Sequence, residues 1–269
     1  MNLLAVDPAA VDIDTALSEF AKAGYARLGH VLADEGRLLL GRRLEDLMLA
    51  RVQVEGLFFQ LDAQSGRYED LSFGLGWQGP SLEYRKIEKL ERDELFRAWI
   101  ENELFGRIAR AHIGGEAGGK GEGVALYRAV VFTKSAAGGS VLPWHQDGGD
   151  FWGVDRAPTL QIWTALDDAP VEAGCVEVVP GSHLRGLATP KGGTIPEAML
   201  EEDFRAGRVL KLPARAGESI LIHNHLWHRS GANTTGLRRS ALSICYMNAA
   251  TRCLRKRRAP RQFIRLFDQ

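Results

Sequence analysis

His145 and Asp147 stand two residues apart in Pro143-Trp144-His145-Gln146-Asp147-Gly148-Gly149. A further imidazole, His228, opens the segment His228-Arg229-Ser230-Gly231-Ala232-Asn233, ahead of the arginine pair Arg238 and Arg239. Two imidazoles and one carboxylate cap one face of an octahedral iron(II) and leave the opposite face open for a co-substrate and dioxygen. An arginine completes the set, because its planar guanidinium grips a carboxylate through two parallel hydrogen bonds. These residue types point to an oxygenase.

A His-x-Asp triplet alone is weak evidence, and its context gives it weight. In a strand, residues two apart face the same way, so His145 and Asp147 can share one cavity. Gly148 and Gly149 then allow a sharp turn. Three histidines compete for the third position. His223 and His225 are also two apart and can share a face, so either can ligate, line a pocket or simply pack. His228 is preferred because Ser230, Asn233 and the arginine pair follow it at fitting distances. Arg238 and Arg239 fall on opposite faces of a strand, so only one of them can reach a bound carboxylate.

The elements that must position these groups change character partway along the chain. Leu17, Phe20 and Ala21 share a helical face that Gly24 can stop, and Tyr25 to Val31 suits an edge strand. Asp34 opens a second helix carrying Leu38, Leu39, Leu44, Leu47 and Met48. The segment from Phe58 to Pro80 reads as a long loop. Leu95, Phe96, Trp99, Ile100, Leu104, Phe105 and Ile108 predict one continuous third helix ending near Gly114-Gly115. Beyond it the period becomes two. Strands are expected over Ala125–Lys134, Thr159–Leu166, Cys175–Pro180, Val209–Leu212, Glu218–His223 and Arg239–Asn248. Many short strands at this spacing predict a mainly β jelly roll buttressed by N-terminal helices. The expectation is a single domain over 1–269: a helical part to about 113, a β core over about 124–250 and a basic C-terminal tail.

Bulk properties narrow the function. The chain has 269 residues, 45% of them hydrophobic, and its 34 basic residues balance 34 acidic ones. A neutral total gives no general attraction to nucleic acid or to an anionic membrane, so a small-molecule substrate is expected. No apolar run approaches the ~20 residues of a membrane span, and the N-terminus lacks the basic start of a secretion signal. Cys175, Cys245 and Cys253 read as reduced thiols of a cytoplasmic protein. Oligomeric state is not expressed in the sequence. The glycine-rich stretch 114–123 resembles a phosphate loop, but Gly121 stands where Ser or Thr would hold magnesium, and a helix rather than a strand precedes it. It reads as a connector. Trp144, Phe151, Trp152 and Trp227 crowd the metal-binding segments and could wall a pocket or merely pack. The tail from Arg252 to Arg265, with Arg255-Lys256-Arg257-Arg258, is the one strongly basic patch, read as a solvated tail or a subunit contact in preference to an anionic-substrate or nucleic-acid role.

The C-terminal half resembles the phytanoyl-CoA dioxygenase family of iron(II)- and 2-oxoglutarate-dependent oxygenases. The blocks that carry the resemblance are Trp144-His145-Gln146-Asp147, Gly174-Cys175-Val176-Glu177-Val178-Val179-Pro180-Gly181-Ser182-His183, Gly217-Glu218-Ser219-Ile220-Leu221-Ile222-His223-Asn224 and His228-Arg229-Ser230-Gly231, with a weaker match at Lys86-Ile87. The resemblance implies a double-stranded β-helix (cupin-like), with iron held by His145, Asp147 and His228. It implies 2-oxoglutarate contacts from Arg239, or its neighbour Arg238, and from Ser230, Trp163 and Lys86. Gln161 shares a strand face with Trp163 and is expected, with Trp152 and His225, to line the substrate pocket. The implied reaction is hydroxylation of an unactivated C–H bond, consuming dioxygen and releasing succinate and carbon dioxide. Asp147 favours this over halogenation, whose enzymes have Ala or Gly there. Two alternatives remain: a cupin-like metal enzyme that does not use 2-oxoglutarate, and a non-catalytic metal-binding barrel.

Overall fold

The computed structural model describes residues 3–4, 6–7, 9–115, 122–136, 138–256 and 261–268. The middle of the glycine-rich stretch and Arg257 and Arg258 of the basic patch lie outside these. The helices are α1 (Ile13–Ala23), α2 (Asp34–Met48), α3 (Glu94–Ile100), α4 (Glu103–Gly115) and α5 (Glu197–Arg205). The strands are β1 (Tyr25–His30), β2 (Phe58–Leu61), β3 (Tyr84–Glu88), β4 (Val124–Lys134), β5 (Leu142–Gln146), β6 (Leu160–Ala165), β7 (Val176–Val178), β8 (Gly193–Thr194), β9 (Leu210–Leu212), β10 (Glu218–His223), β11 (His228–Ser230), β12 (Arg239–Asn248) and β13 (Ile264–Phe267). They form two antiparallel sheets. The major sheet runs β1-β10-β6-β12-β4-β3-β2 with β13 added to β4, and the minor sheet runs β8-β5-β11-β7-β9. This is a distorted double-stranded β-helix with flanking helices, as the family resemblance implies and in keeping with the jelly roll expected from the two-residue periodicity. No helix among the described residues is long and apolar enough to cross a membrane.

Alternation in the central strands explains how one sheet serves two purposes. Leu160 and Ile162 of β6, with Leu242, Ile244 and Tyr246 of β12, face the helices and join Phe20, Leu44, Trp99 and Phe105 in the main core. Gln161 and Trp163 of β6, and Ser243 of β12, point the other way, into a cavity between the sheets. Both faces of these strands are therefore covered. In β4 the ladder slips between Cys245–Arg128 and Tyr246–Leu126, so Tyr127 is an extra residue in the strand. Such a bulge lets Leu126 and Ala129 both join the main core while Arg128 reaches the cavity.

Four sequence expectations need correction. The third helix is two, because Asn102 divides it: its amide donates to Trp99 O at 2.6 Å and its carbonyl oxygen accepts from Phe105 N at 3.0 Å. One side chain thus closes α3 and caps α4, while the apolar stripe stays buried across the break. The loop expected over 58–80 begins with β2, which pairs with β3 and extends the major sheet. Leu38 of α2 is exposed, and Leu40 takes the buried place. The basic tail returns to the body of the molecule, since β13 pairs with β4 and buries Phe267.

Candidate metal and co-substrate site

His145 on β5 and His228 on β11 are directly opposed in the minor-sheet ladder, their ring centroids 4.1 Å apart. Asp147 lies just past the end of β5, where its N–H donates to Asn224 O at 2.8 Å. One donor atom from each of these three residues lies within 4.8 Å of the others, and no other such group of three occurs among the described residues. The ladder, not chance proximity, brings distant segments to one point.

The hydrogen bonds around the triad suit a metal. His145 Nδ1 lies 2.8 Å from Pro143 O, and His228 Nδ1 lies 2.8 Å from Leu226 O. A carbonyl only accepts, so each ring must carry its proton on Nδ1 and presents the Nε2 lone pair toward its partners. Burial and the neighbouring His228 push His145 down to about 4, which keeps it neutral and ready to ligate. Asp147 behaves oppositely. Burial would raise it, but Arg128, the two imidazoles and Gln161 outweigh burial and hold the carboxylate ionised, far below its usual range. Its Oδ2 accepts from Arg128 at 3.0 Å and from Gln161 at 2.7 Å, and Ser243 in turn donates to Gln161 Oε1 at 3.0 Å. Two imidazoles and one fixed carboxylate on one face are the donor set of a non-haem iron(II) centre with open positions.

The triad lines a cavity of about 330 Å³ between the sheets. Arg239, Ser230, Trp163, Lys86, Gln161 and Trp152, all expected from the sequence, line it as well. Arg239 is only 3% exposed, and its guanidinium donates to Ala173 O at 3.3 Å and Gly174 O at 2.5 Å. Burial lowers it only to about 10, so it remains a cation at neutral pH, and no carboxylate lies within ion-pair distance of it among the described residues. Arg238 turns outward instead, to Glu45 at 2.9 Å and Asp167 at 3.8 Å. Lys86 pairs with Glu88, and Trp152 stacks on Tyr127 at 4.3 Å with the Arg128 guanidinium over its ring, 4.7 Å from the centroid. His225 is the exception. It is absent from the cavity wall, and its ring packs against Gly148 and, edge-on, against His223. The chain turns between β10 and β11, so the two-residue spacing there does not keep side chains on one face.

Sequence reasoning missed Arg128 and Lys134, both on β4 and both lining the cavity. Lys134 donates to Ser140 O, and burial with Arg239 and Arg85 nearby pulls it down to about 7. The available signal was a pair of cations inside an otherwise apolar strand, since buried charges are kept only where they meet a partner or a ligand.

Fold and site together define a double-stranded β-helix protein with a candidate metal-binding face. Residues 80–241 match the family model described as phytanoyl-CoA dioxygenase (PhyH), and the chain belongs to that family. It is 33% identical over 134 residues to phytanoyl-CoA dioxygenase domain-containing protein 1 of Danio rerio, covering 47% of this chain and 45% of the relative. It is 34% identical over 146 residues to L-proline trans-4-hydroxylase of Streptomyces griseoviridis, covering 46% of this chain and 54% of the relative. The chain thus spans about half the length of these curated relatives. Among solved structures, it superposes on the non-heme alpha-ketoglutarate-dependent carbocyclase SnoK from nogalamycin biosynthesis with a TM-score of 0.68. There the identity is 21% and the coverage 98% of both chains, a likeness of fold. The donor set, the unpaired cation and the family all fit iron(II) with 2-oxoglutarate.

Proposed function

We propose that this protein is an iron(II)- and 2-oxoglutarate-dependent dioxygenase that hydroxylates an unactivated C–H bond of a small organic molecule. The observation that carries this reading is Arg239: a buried, charged guanidinium with no carboxylate within ion-pair distance among the described residues, lining the same cavity as the His–Asp–His face. A buried cation without a counter-ion is costly, and a dicarboxylate co-substrate supplies one. A cupin-like metal enzyme without 2-oxoglutarate has no use for that charge.

Iron(II) with 2-oxoglutarate and dioxygen supplies the oxidation of a strong C–H bond, releasing succinate and carbon dioxide. The chain's own residues do the rest. Pro143 O and Leu226 O lock His145 and His228 in the ligating tautomer. Arg128 and Gln161 both donate to Asp147 Oδ2 and keep the carboxylate ionised. Arg239 and the Ser230 hydroxyl would hold the distal carboxylate of the co-substrate, with Trp163 and Lys86 lining the same cavity. Asp147 fills the position that a halogenating site needs free, which favours oxygenation. The L-proline hydroxylase relative supports hydroxylation as the outcome; the carbocyclase shows that the fold also hosts other oxidations.

Anaerobic addition of iron(II) and 2-oxoglutarate to the wild-type protein should give a weak visible charge-transfer band. Arg239→Ala should weaken 2-oxoglutarate binding by at least tenfold, and His145→Ala should abolish the band. A wild-type protein that gives no band, or an Arg239→Ala variant that binds 2-oxoglutarate as tightly as wild type, refutes the assignment.

A further inference from the structure

The iron-site cavity adjoins a second, larger depression of about 1220 Å³, and Lys86, Arg128, Phe151 and Trp152 line both. The two walls of this outer space differ in charge. The wall from residues 86–97 mixes signs: Lys86 is paired with Glu88, and Lys89, Arg92 and Arg97 stand among Glu91 and Glu94. The opposite wall comes from the C-terminal arm and carries Arg255 and Arg261. Neither has a carboxylate within ion-pair distance among the described residues; each donates to a backbone carbonyl, Phe151 O and Tyr127 O respectively. Both lie over aromatic rings. Arg255 is 5.9 Å from the Phe151 centroid, and Arg261 is 4.9 Å from those of Tyr127 and Phe263.

The described parts of the arm on either side are held to the body of the molecule. Cys253 bridges Val154, Leu254 N donates to Gly153 O at 2.8 Å, and Arg252 pairs with Asp155 at 2.9 Å. Downstream, β13 pairs with β4. Between these anchors the two guanidiniums flank Phe151, which is 74% exposed, beside the buried pair Tyr127 and Trp152, stacked with only 10° between their planes. Arg128, which reaches from Asp147 to the Trp152 ring, has an Nε without a hydrogen-bond partner. Guanidiniums held on ring faces keep their N–H edges free for an oxyanion, and a cationic mouth draws anions toward the site.

We propose that Arg255 and Arg261 of the C-terminal arm form an anion subsite at the entrance, so that the substrate is a carboxylate or phosphate monoester bearing a flat apolar body. The anionic group rests on the arm, the body lies along the exposed ring of Phe151, and the carbon to be oxidised reaches inward to the metal face. This rests on the function proposed above, whose co-substrate occupies Arg239 and leaves the arm to the substrate.

The test is isothermal titration of the full chain, loaded anaerobically with iron(II) and 2-oxoglutarate, with phenyl phosphate, benzoate, benzyl alcohol and benzylamine. One anion at least should bind tenfold or more tightly than the alcohol, with benzylamine weakest, and the preference should shrink with added salt. If phenyl phosphate leads, the natural group is a phosphate; if benzoate leads, a carboxylate. Arg255→Gln/Arg261→Gln should lose that preference while binding benzyl alcohol as before; Arg97→Gln, on the mixed wall, should keep it. Anions that bind no better than the alcohol, or a preference that survives in the double variant, overturn the proposal. The charge-transfer band is read first on every sample. Its presence separates failure of this subsite from failure of the iron and 2-oxoglutarate assignment, and the wild-type ranking stands even if the double variant does not fold.

Discussion

At the scale of single residues, the metal face depends on side chains that never touch a metal. Gln161 joins Asp147 to Ser243, and Arg128 joins Asp147 to the Trp152 ring. A leucine at 161 has nearly the same size and none of the polarity. Gln161→Leu should therefore weaken metal binding by ~10–100-fold, the usual effect of losing a partner that orients a ligand. Competition with a coloured chelator measures this, and a loss smaller than threefold would count against the clamp. The triad itself was legible because its residue types are rare in combination and their spacing fits strands. Arg239 was legible only as one of a pair; the outward ion pairs of Arg238 decide between them. Arg128 and Lys134 showed in the sequence only as cations within an apolar strand; that they face the cavity was not legible, because β4 carries a bulge that no local pattern announces.

At the scale of elements, long apolar stripes read correctly as buried faces but not as single pieces of structure. Leu95 to Ile108 forms one stripe over two helices, and the interruption rests on Asn102, an ordinary capping residue hidden inside a helical period. Asn102→Ala should cost about 1 kcal/mol, as cap removal commonly does, and a shifted urea midpoint with unchanged slope would show it. The strands β2 and β13 escaped notice for a related reason. Both are four residues long and flanked by polar or basic sequence, and each becomes a strand by completing an edge already laid down by β3 or β4. Pairing across such distances is a tertiary preference, and periodicity within a window does not record it.

Across the whole molecule, neutral total charge conceals local organisation. Besides the metal face, the structure gathers His183, His223 and His225 behind the sheets, with ring centroids 4.8 Å apart for the first pair and 5.5 Å for the second. Burial lowers all three, and His223 falls to about 3 with further pressure from His183, His225 and His112. In the unfolded chain these rings titrate near their ordinary ~6.5. As pH falls below that value the unfolded chain takes up protons that the folded one refuses, so stability is lost between there and the depressed folded values. Each such ring contributes a slope of up to ~1.4 kcal/mol per pH unit. Thermal melts of the metal-free protein should drop steeply from pH 7 to pH 5, and His223→Gln, which cannot protonate, should flatten the fall. An unchanged slope in that variant would exclude His223 as a contributor.

One consequence follows from the direct opposition of His145 and His228 across the β5–β11 ladder. Both strands are short, five and three residues, and belong to the smaller sheet. An ion gripping one residue of each acts as a rivet through two thin plates. Amide hydrogens of β5 and β11 should exchange at least tenfold more slowly once metal is bound, while those of the long pair β4 and β12 hardly change. Slowing spread evenly over both sheets would mean that the rivet tightens nothing in particular. Local slowing would make occupancy of the centre readable from the stiffness of two strands, before any substrate is known.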